Sequence, residues 1–140
     1  MATASAVSLC ACGSSHFANQ TRPPIPVSLS VAITDTRVSV SPASIGAGPV
    51  SLTIANLSSR AQSLSVTSAG TQGQPLVSTS PINPEGTATV SADLSRQGTY
   101  DVAAATGGPD ASTSGPSAVA AAQIQVGPPR PSGGSTLLSP

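Results

Sequence analysis

The sequence predicts an all-β fold, a Greek-key β-sandwich, and three observations carry that expectation. Apolar residues recur at alternate positions in about seven short stretches, the period of a strand with one buried face. Clusters of Gly, Pro, Asn and Ser punctuate those stretches as turns do. Gly98 stands two residues before Tyr100 and downstream of Leu94. That arrangement fits a turn feeding a strand, with Gly98 at a positive-φ position and the Tyr100 hydroxyl bonding back to the turn.

Taken in order, Val27, Leu29, Val31 and Ile33 alternate with small or polar residues and read as the first strand. Asp35, Thr36 and Arg37 interrupt it and the apolar parity moves to Val38 and Val40, so a bulge or a change of strand lies there. Ser41-Pro42 ends that run, and Gly46-Ala47-Gly48-Pro49 reads as the next turn. Val50, Leu52 and Ile54, a turn at Asn56-Leu57-Ser58-Ser59, then Leu64 and Val66 read as a hairpin-like pair. Leu76, Val77 and Ile82 sit among three prolines and suggest a short irregular strand. Ala88, Val90, Ala92 and Leu94 alternate again, followed by the Tyr100 and Val102 strand and a last one at Ile124 and Val126. The alanine-rich run at 118–122 is too short to hold a helix and leads straight into that last strand.

The 140-residue chain has room for one domain, with no net charge and only 7% charged residues. All five cations are Arg and are scattered along the chain, so no basic face for nucleic acid is expected. With no Trp, one Tyr and one Phe, the core must be built from Val, Ile, Leu and Ala.

The opening segment carries the other signal. Leu9, Cys10, Ala11 and Cys12 resemble the lipobox of bacterial lipoproteins, and Gly13, Ser14 and Ser15 resemble the start of a mature lipoprotein tether. The resemblance implies a lipid on Cys12, an anchor in the membrane, and an extracytoplasmic place at the cell envelope. It divides the chain into a signal-peptide remnant at 1–11, a flexible lipid-anchored tether at 12–26, a domain at 27–127 and a disordered tail at 128–140. Pro23, Pro24 and Pro26 suit a spacer. A different reading makes Cys10 and Cys12, with His16, a soft-ligand site for Cu(I).

Two segments together resemble the cupredoxins, the plastocyanin and azurin family. Residues 50–66 run through Asn56 to the place where the family has its first copper His, which is Gln62 here. Gly98-Thr99-Tyr100-Asp101-Val102-Ala103-Ala104 is similar to the family's Gly-x-Tyr-x-Phe-x-Cys strand, and Ala104 falls where the copper Cys stands. A long loop at 106–116 before the closing strand fits the same topology, but it holds neither His nor Met. Leu94, Gly98 and Tyr100 suit an immunoglobulin-like or fibronectin-like sandwich too, and the long loop favours the cupredoxin-like alternative.

A type 1 copper site needs two imidazoles and a thiolate, usually with a weak axial thioether. His16, Cys10, Cys12 and Met1 are the chain's whole supply, and all precede the domain. Gln62 and Ala104 are therefore degenerate copper-ligand positions, and no cofactor is expected. Nor does the domain contain a His or Lys to serve as base for a nucleophilic Ser. The acids Asp35, Glu85, Asp93, Asp101 and Asp110 show no spacing that singles out a catalytic pair. The expectation is a non-catalytic envelope lipoprotein, a binding or structural module that meets an envelope protein through the loops at 70–75 and 106–116.

Overall fold

The computed structural model describes residues 24–69, 74–106 and 119–131, and these form eight strands and no helix. In order they are β1 (Val27–Ile33), β2 (Val38–Ser41), β3 (Ser44–Asn56), β4 (Gln62–Ser68), β5 (Val77–Ser78), β6 (Thr87–Leu94), β7 (Gly98–Thr106) and β8 (Ala122–Pro129). One sheet runs β2-β1-β3-β6 and the other β3-β8-β7-β4-β5. Pairing is antiparallel except for β1 with β3 and β3 with β8. The result is a two-sheet β-sandwich.

Alternation decides which residues face inward. Leu29, Val31 and Ile33 of β1 and Val50, Leu52 and Ile54 of β3 are buried from one sheet. Leu64 and Val66 of β4, Tyr100, Val102 and Ala104 of β7, and Ile124 and Val126 of β8 meet them from the other. Tyr100 is the only aromatic residue in this cluster, so aliphatic burial supplies the driving force. Its hydroxyl donates to the Arg96 carbonyl at 2.9 Å across the turn that opens β7, and Gly98 in that turn has φ 141°.

The interruption at 35–37 is a change of strand: β1 and β2 form a hairpin in which Ile33 pairs with Val38. Two other expectations need correction. Gly46-Ala47-Gly48-Pro49 is no chain reversal but lies inside β3, which is 13 residues long. Its first part pairs with β8 and its second with β1 and β6, the register shifting between Gly46 and Ala47. Glycine here lets one strand pass from sheet to sheet, since Gly48 takes φ 138°.

Nor are β3 and β4 a hairpin. β3 pairs with β1, β6 and β8, and β4 pairs with β5 and β7, so the chain crosses between sheets at 57–61. Alternation marks a strand's buried face but not its neighbour. The irregular strand among the prolines shrinks to Val77–Ser78, and Ile82 makes only an isolated bridge with Gln62.

The last strand outruns its expected end at Val126 and continues to Pro129. Beyond it, the Arg130 guanidinium reaches three backbone carbonyls. It donates to Ile25 at 2.8 Å, to Pro49, and to Ala47 at 3.4 Å. The carbonyl of Ile25, which the sequence assigns to the tether, is thereby tied to the sandwich. This clamp explains the bare backbone below it: a Cβ on Gly48 would lie 2.8 Å from Arg130 Nη2, and one on Gly46 2.6 Å from Arg130 Cγ.

Gly98 and Gly48 share a left-handed φ, but a Cβ on Gly98 would meet nothing within 4 Å. Gly98→Ala therefore isolates backbone strain and should cost about 1 to 3 kcal/mol in urea unfolding. Gly48→Ala adds a collision with Arg130 and should cost more. Equal costs for the two would show that the clamp yields freely. Tyr100→Phe should lose about 0.5 to 1.5 kcal/mol, the net worth of its hydrogen bond, by the same measurement.

Candidate binding site at the Gln62 end of the sandwich

Four pieces of chain converge at one end of the two sheets: the β1–β2 turn, the turn after β3, the start of β4 with the end of β7, and Val119. The first turn is closed by Thr34, whose N–H and hydroxyl both donate to the Arg37 carbonyl at 2.9 Å. That places Asp35 at the tip. Asp35 Oδ1 accepts the Ser59 N–H at 2.9 Å and the Ser59 hydroxyl at 2.8 Å, which ties this turn to the one after β3.

The second turn is built on Asn56. The inward parity of Val50, Leu52 and Ile54 continues to this residue, which is fully buried. Its Nδ2 donates to the carbonyls of Arg60 and Ile82, each at 2.8 Å. Its Oδ1 accepts the Ser58 N–H at 3.0 Å and lies 2.6 Å from the Ser58 hydroxyl. The main chain adds Asn56 N–H to Gly86, Glu85 N–H to Asn56, and Leu57 N–H to Ile33. Asn56 thus fixes the loop that carries Ser59 and Arg60.

Gln62 opens β4 opposite Thr106, the last residue of β7, and its backbone exchanges both hydrogen bonds with Ile82. The side chain is 3% exposed. Its Nε2 donates to Thr106 Oγ1 at 3.2 Å, while Oε1 is buried without a hydrogen-bond partner. Ala104 pairs with Leu64, one pleat inward from the Gln62–Thr106 pair, so Gln62 and Ala104 are diagonal neighbours on the inner face. Asp35, Ser59, Arg60, Gln62, Thr106 and Val119 line a polar pocket of about 260 Å³.

The charges in that pocket are few and unlike. Donation from the Ser59 N–H, then from its hydroxyl, holds the Asp35 carboxyl below the ordinary aspartate range; the field of Arg60 adds to this and partial desolvation opposes it. No ion pair joins Asp35 to Arg60 among the described residues. No group of three or more His, Cys, Asp or Glu gathers among the described residues either.

Of the residues singled out from the sequence, Gln62 and Ala104 come together here, whereas Gly98 and Tyr100 serve the turn at the start of β7 and lie away from the pocket. Cys12 lies outside the described residues, as do Cys10 and His16 and most of the loops at 70–75 and 106–116. The sequence reading missed Asn56 as a hub and Arg60 and Thr106 as pocket walls, and it did not connect Asp35, exposed at the tip of its turn, with them. An amide at an inward-facing parity position was the available signal.

No protein-family model matches the chain, and no curated protein matches it in sequence. Solved structures do match in fold. Sodium-dithionite-reduced auracyanin from Roseiflexus castenholzii superposes with a TM-score of 0.51 at 14% identity, over 75% of this chain and 99% of its own. A copper-containing nitrite reductase from Thermus scotoductus has a TM-score of 0.45 at 18% identity, over 74% of this chain and 27% of its own. Lac15 from a marine microbial metagenome has a TM-score of 0.49 at 12% identity, over 76% of this chain and 34% of its own. The auracyanin likeness places the sandwich in the cupredoxin-like class. The chain spans about a third or less of the nitrite reductase and of Lac15.

The residues at this end do not fit a type 1 copper centre. Where the resemblance puts an imidazole there is a neutral amide already bonded to Thr106, and where it puts a thiolate there is the methyl group of Ala104. The pocket instead offers a carboxylate, a guanidinium, hydroxyls and an amide carbonyl.

Two measurements check this geometry. Asn56→Ala removes one of two donors from the Ile82 and Arg60 carbonyls, which keep the Gln62 N–H and the Ser58 hydroxyl, and leaves the Ser58 N–H without its acceptor; it should cost about 1 to 3 kcal/mol in urea unfolding. The depressed folded-state pKa of Asp35 gives stability that is present above the unfolded aspartate value and is lost as pH falls through the folded one. Carboxyl NMR should show Ser59→Ala moving the Asp35 midpoint upward, part of the way to normal, because the backbone N–H remains. An unmoved midpoint would remove the Ser59 hydroxyl as a cause.

Proposed function

We propose that this chain is a copper-free cupredoxin-like module of the cell envelope, held at the membrane by lipid on Cys12, which acts by binding and carries out no redox or catalytic step. What supports this reading is that Gln62 and Ala104, the positions that the resemblance gives to an imidazole and a thiolate, are diagonal neighbours on the inner face. Around them the pocket has one ordinary base candidate, Asp35, and its lowered pKa makes it a weak proton acceptor. The Ser59 hydroxyl donates to that carboxylate, whose lowered pKa leaves it a poor base for activating the serine. An envelope protein or a small ligand taken up at this end suits such a surface.

The envelope assignment rests on the Leu9 to Cys12 lipobox and the proline-containing spacer at 12–26, which would hold the pocket clear of the bilayer. Among the described residues no helix is long and apolar enough to cross a membrane. Acylation would also consume the Cys12 thiol that Cu(I) capture by Cys10 and Cys12 requires.

Copper titration tests the first part. The full chain carrying Cys10→Ser and Cys12→Ser should retain no Cu(II) through gel filtration; one tightly held Cu(II) per chain, read by electron paramagnetic resonance, would overturn the copper-free reading. Mass spectrometry of the native amino terminus tests the second. The expected mature chain begins at a diacylated Cys12, and an intact unmodified Met1 would overturn the anchor.

A further inference from the structure

One edge of the sandwich is open in a way the others are not. Of the strands that end the two sheets, β2 has 4 residues and β5 has 2, whereas β6 runs for 8, from Thr87 to Leu94. Among the described residues β6 pairs on one side only, with β3. Long edges are ordinarily blunted by Pro, Lys or a bulge. β6 contains neither residue, and its register on β3 is unbroken from end to end.

Main-chain parity decides which groups face the open side. Asn56 stands opposite Gly86, one step beyond the Ala55–Thr87 pair, and its N–H donates to the Gly86 carbonyl at 2.9 Å. Bonded pairs alternate with unbonded ones along an antiparallel ladder, so Ala88, Val90, Ala92 and Leu94 direct their N–H and C=O groups to β3. Those of Thr87, Thr89, Ser91 and Asp93 point away from it. Pro49, which has no N–H, lies opposite Asp93 and fits that alternation. On the inner face Ala88, Val90 and Ala92 are only half-buried, although Ile54, Leu52 and Val50 opposite them are buried. Beside the first half of the edge lies a groove of about 440 Å³, and its far wall, Ser78, Thr79, Ser80 and Asn83, is polar and uncharged.

We propose that β6 pairs antiparallel with β6 of a second copy of this chain, about a twofold axis through Val90, so that the two β2-β1-β3-β6 sheets become one. The inference goes beyond the binding-module reading and does not depend on the Gln62 end. A twofold contact requires a strand complementary to its own reverse, and the edge itself meets that requirement. The outward groups recur at every second residue, so each register that can bond keeps Ala88, Val90 and Ala92 on the inner face of both copies. Charge and length select among those registers. Centring on Val90 sets Thr89 against the partner's Ser91 and Asp93 against the partner's Thr87, which uses all four outward residues of each copy in about eight main-chain hydrogen bonds. Centring on Thr89 lays Asp93 against the partner's Glu85, a like charge, and centring on Ser91 leaves Thr87 beyond the end of the partner's strand. With the axis at Val90, that residue meets the partner's Val90 in an unbonded pair, where side chains approach closest, and Ala88 meets the partner's Ala92. The half-buried inner row thus gains apolar neighbours. A single strand pair is small beside the roughly 1,200 Å² of stable complexes, so the dimer is weak and reversible.

The test uses the full chain carrying Cys10→Ser and Cys12→Ser, which removes thiol cross-links. Sedimentation equilibrium from about 10 μM to about 1 mM should show monomer giving way to dimer and to nothing larger. Hydrogen exchange at the dilute end should find the Ala88, Val90 and Ala92 amides protected and those of Thr89, Ser91 and Asp93 open; at the concentrated end all six should be protected. Thr89→Pro deletes an outward N–H and spares the ladder to β3, and Ser91→Lys puts a charge on the edge. Each change enters the contact twice, so each should weaken association about ten-fold or more. Ser91 is exposed, so its variant reports association even if the proline disturbs the strand. Val90→Cys should form a disulfide-linked dimer under mild oxidation faster than Ser91→Cys, because an unbonded pair holds its Cα atoms about 4.5 Å apart.

A chain that stays monomeric at the top of that range, with the Thr89, Ser91 and Asp93 amides exchanging freely, would overturn the proposal and leave water as the cover of this edge. Association untouched by both Thr89→Pro and Ser91→Lys would place the contact elsewhere and overturn it too. Assemblies that grow past two would do the same, because a twofold contact closes. Faster cross-linking through Ser91→Cys would overturn the axis at Val90.

Discussion

The amide of Asn56 is the constraint on which this end of the molecule depends. A strand reading Val50, Leu52, Ile54 on its inner face would, on hydrophobic grounds alone, place another aliphatic residue at the next inward position. It places Asn there, fully buried, and both ends of the amide are bonded. The exchange has a physical logic. The chain must leave one sheet and enter the other within five residues, and such a crossing exposes backbone groups that neither sheet can pair. Asn56 accepts the Ser58 N–H and adds a second donor to the Arg60 and Ile82 carbonyls, linking the crossing to the chain at 82, which an aliphatic side chain could not do. The core loses a methyl group's worth of burial and gains a fixed crossing, and the fixed crossing aims Ser59 and Arg60 at the pocket.

A second constraint acts at the middle of β3. One strand serves both sheets, so the sandwich cannot shear without bending it, and the bend is placed where backbone can come close to backbone. Gly46 and Gly48 leave room for Arg130, whose guanidinium fills the corner with donors for Ala47, Pro49 and Ile25. Charge-assisted bonds to carbonyls are stronger than neutral ones, and here they replace ladder bonds that the departing strand no longer supplies. The first and last described segments are thereby joined at one place, beside the corner and along the strand from the crossing at Asn56.

What could be read in advance follows the range of each interaction. The alternating parity of β1, β4, β6 and β7 was legible because burial on one face is a property of neighbouring residues. The Gly98 and Tyr100 turn belongs to the same class: its hydrogen bond spans four residues, to Arg96. Partner choice was not legible, since Leu52 and Leu64 look alike whether their strands pair or lie in opposite sheets. Gly46 to Pro49 misled for a related reason. The same residues that permit a chain reversal permit a bend within a strand, and only Arg130, more than eighty residues later, decides between them. At the pocket, Gln62 and Ala104 could be placed by resemblance, whereas Asp35, Arg60 and Thr106 meet only through the crossing of three turns.

The position of Gln62 follows from this architecture. At the mouth of a sandwich the first residue of β4 points inward but has only part of a core above it, so an aliphatic side chain gains little and a polar one is only partly hydrated. Most chains resolve such a position by pairing the polar group fully or by removing it, because a buried carbonyl without a donor costs free energy in every folded molecule. Gln62 does neither. Its amide is anchored at one end to Thr106 and left open at the other, beside a carboxylate and a guanidinium that also lack each other. Asp35 already accepts two bonds from Ser59 and, like Arg60, is open to solvent, so the unmet group at this rim is the buried Gln62 carbonyl. The fold tolerates that cost because its surroundings are fixed: Asn56 and Ser59 tie the two turns beside it, and the burial of Leu64 and Ala104 one pleat inward sets the register of β4 on β7.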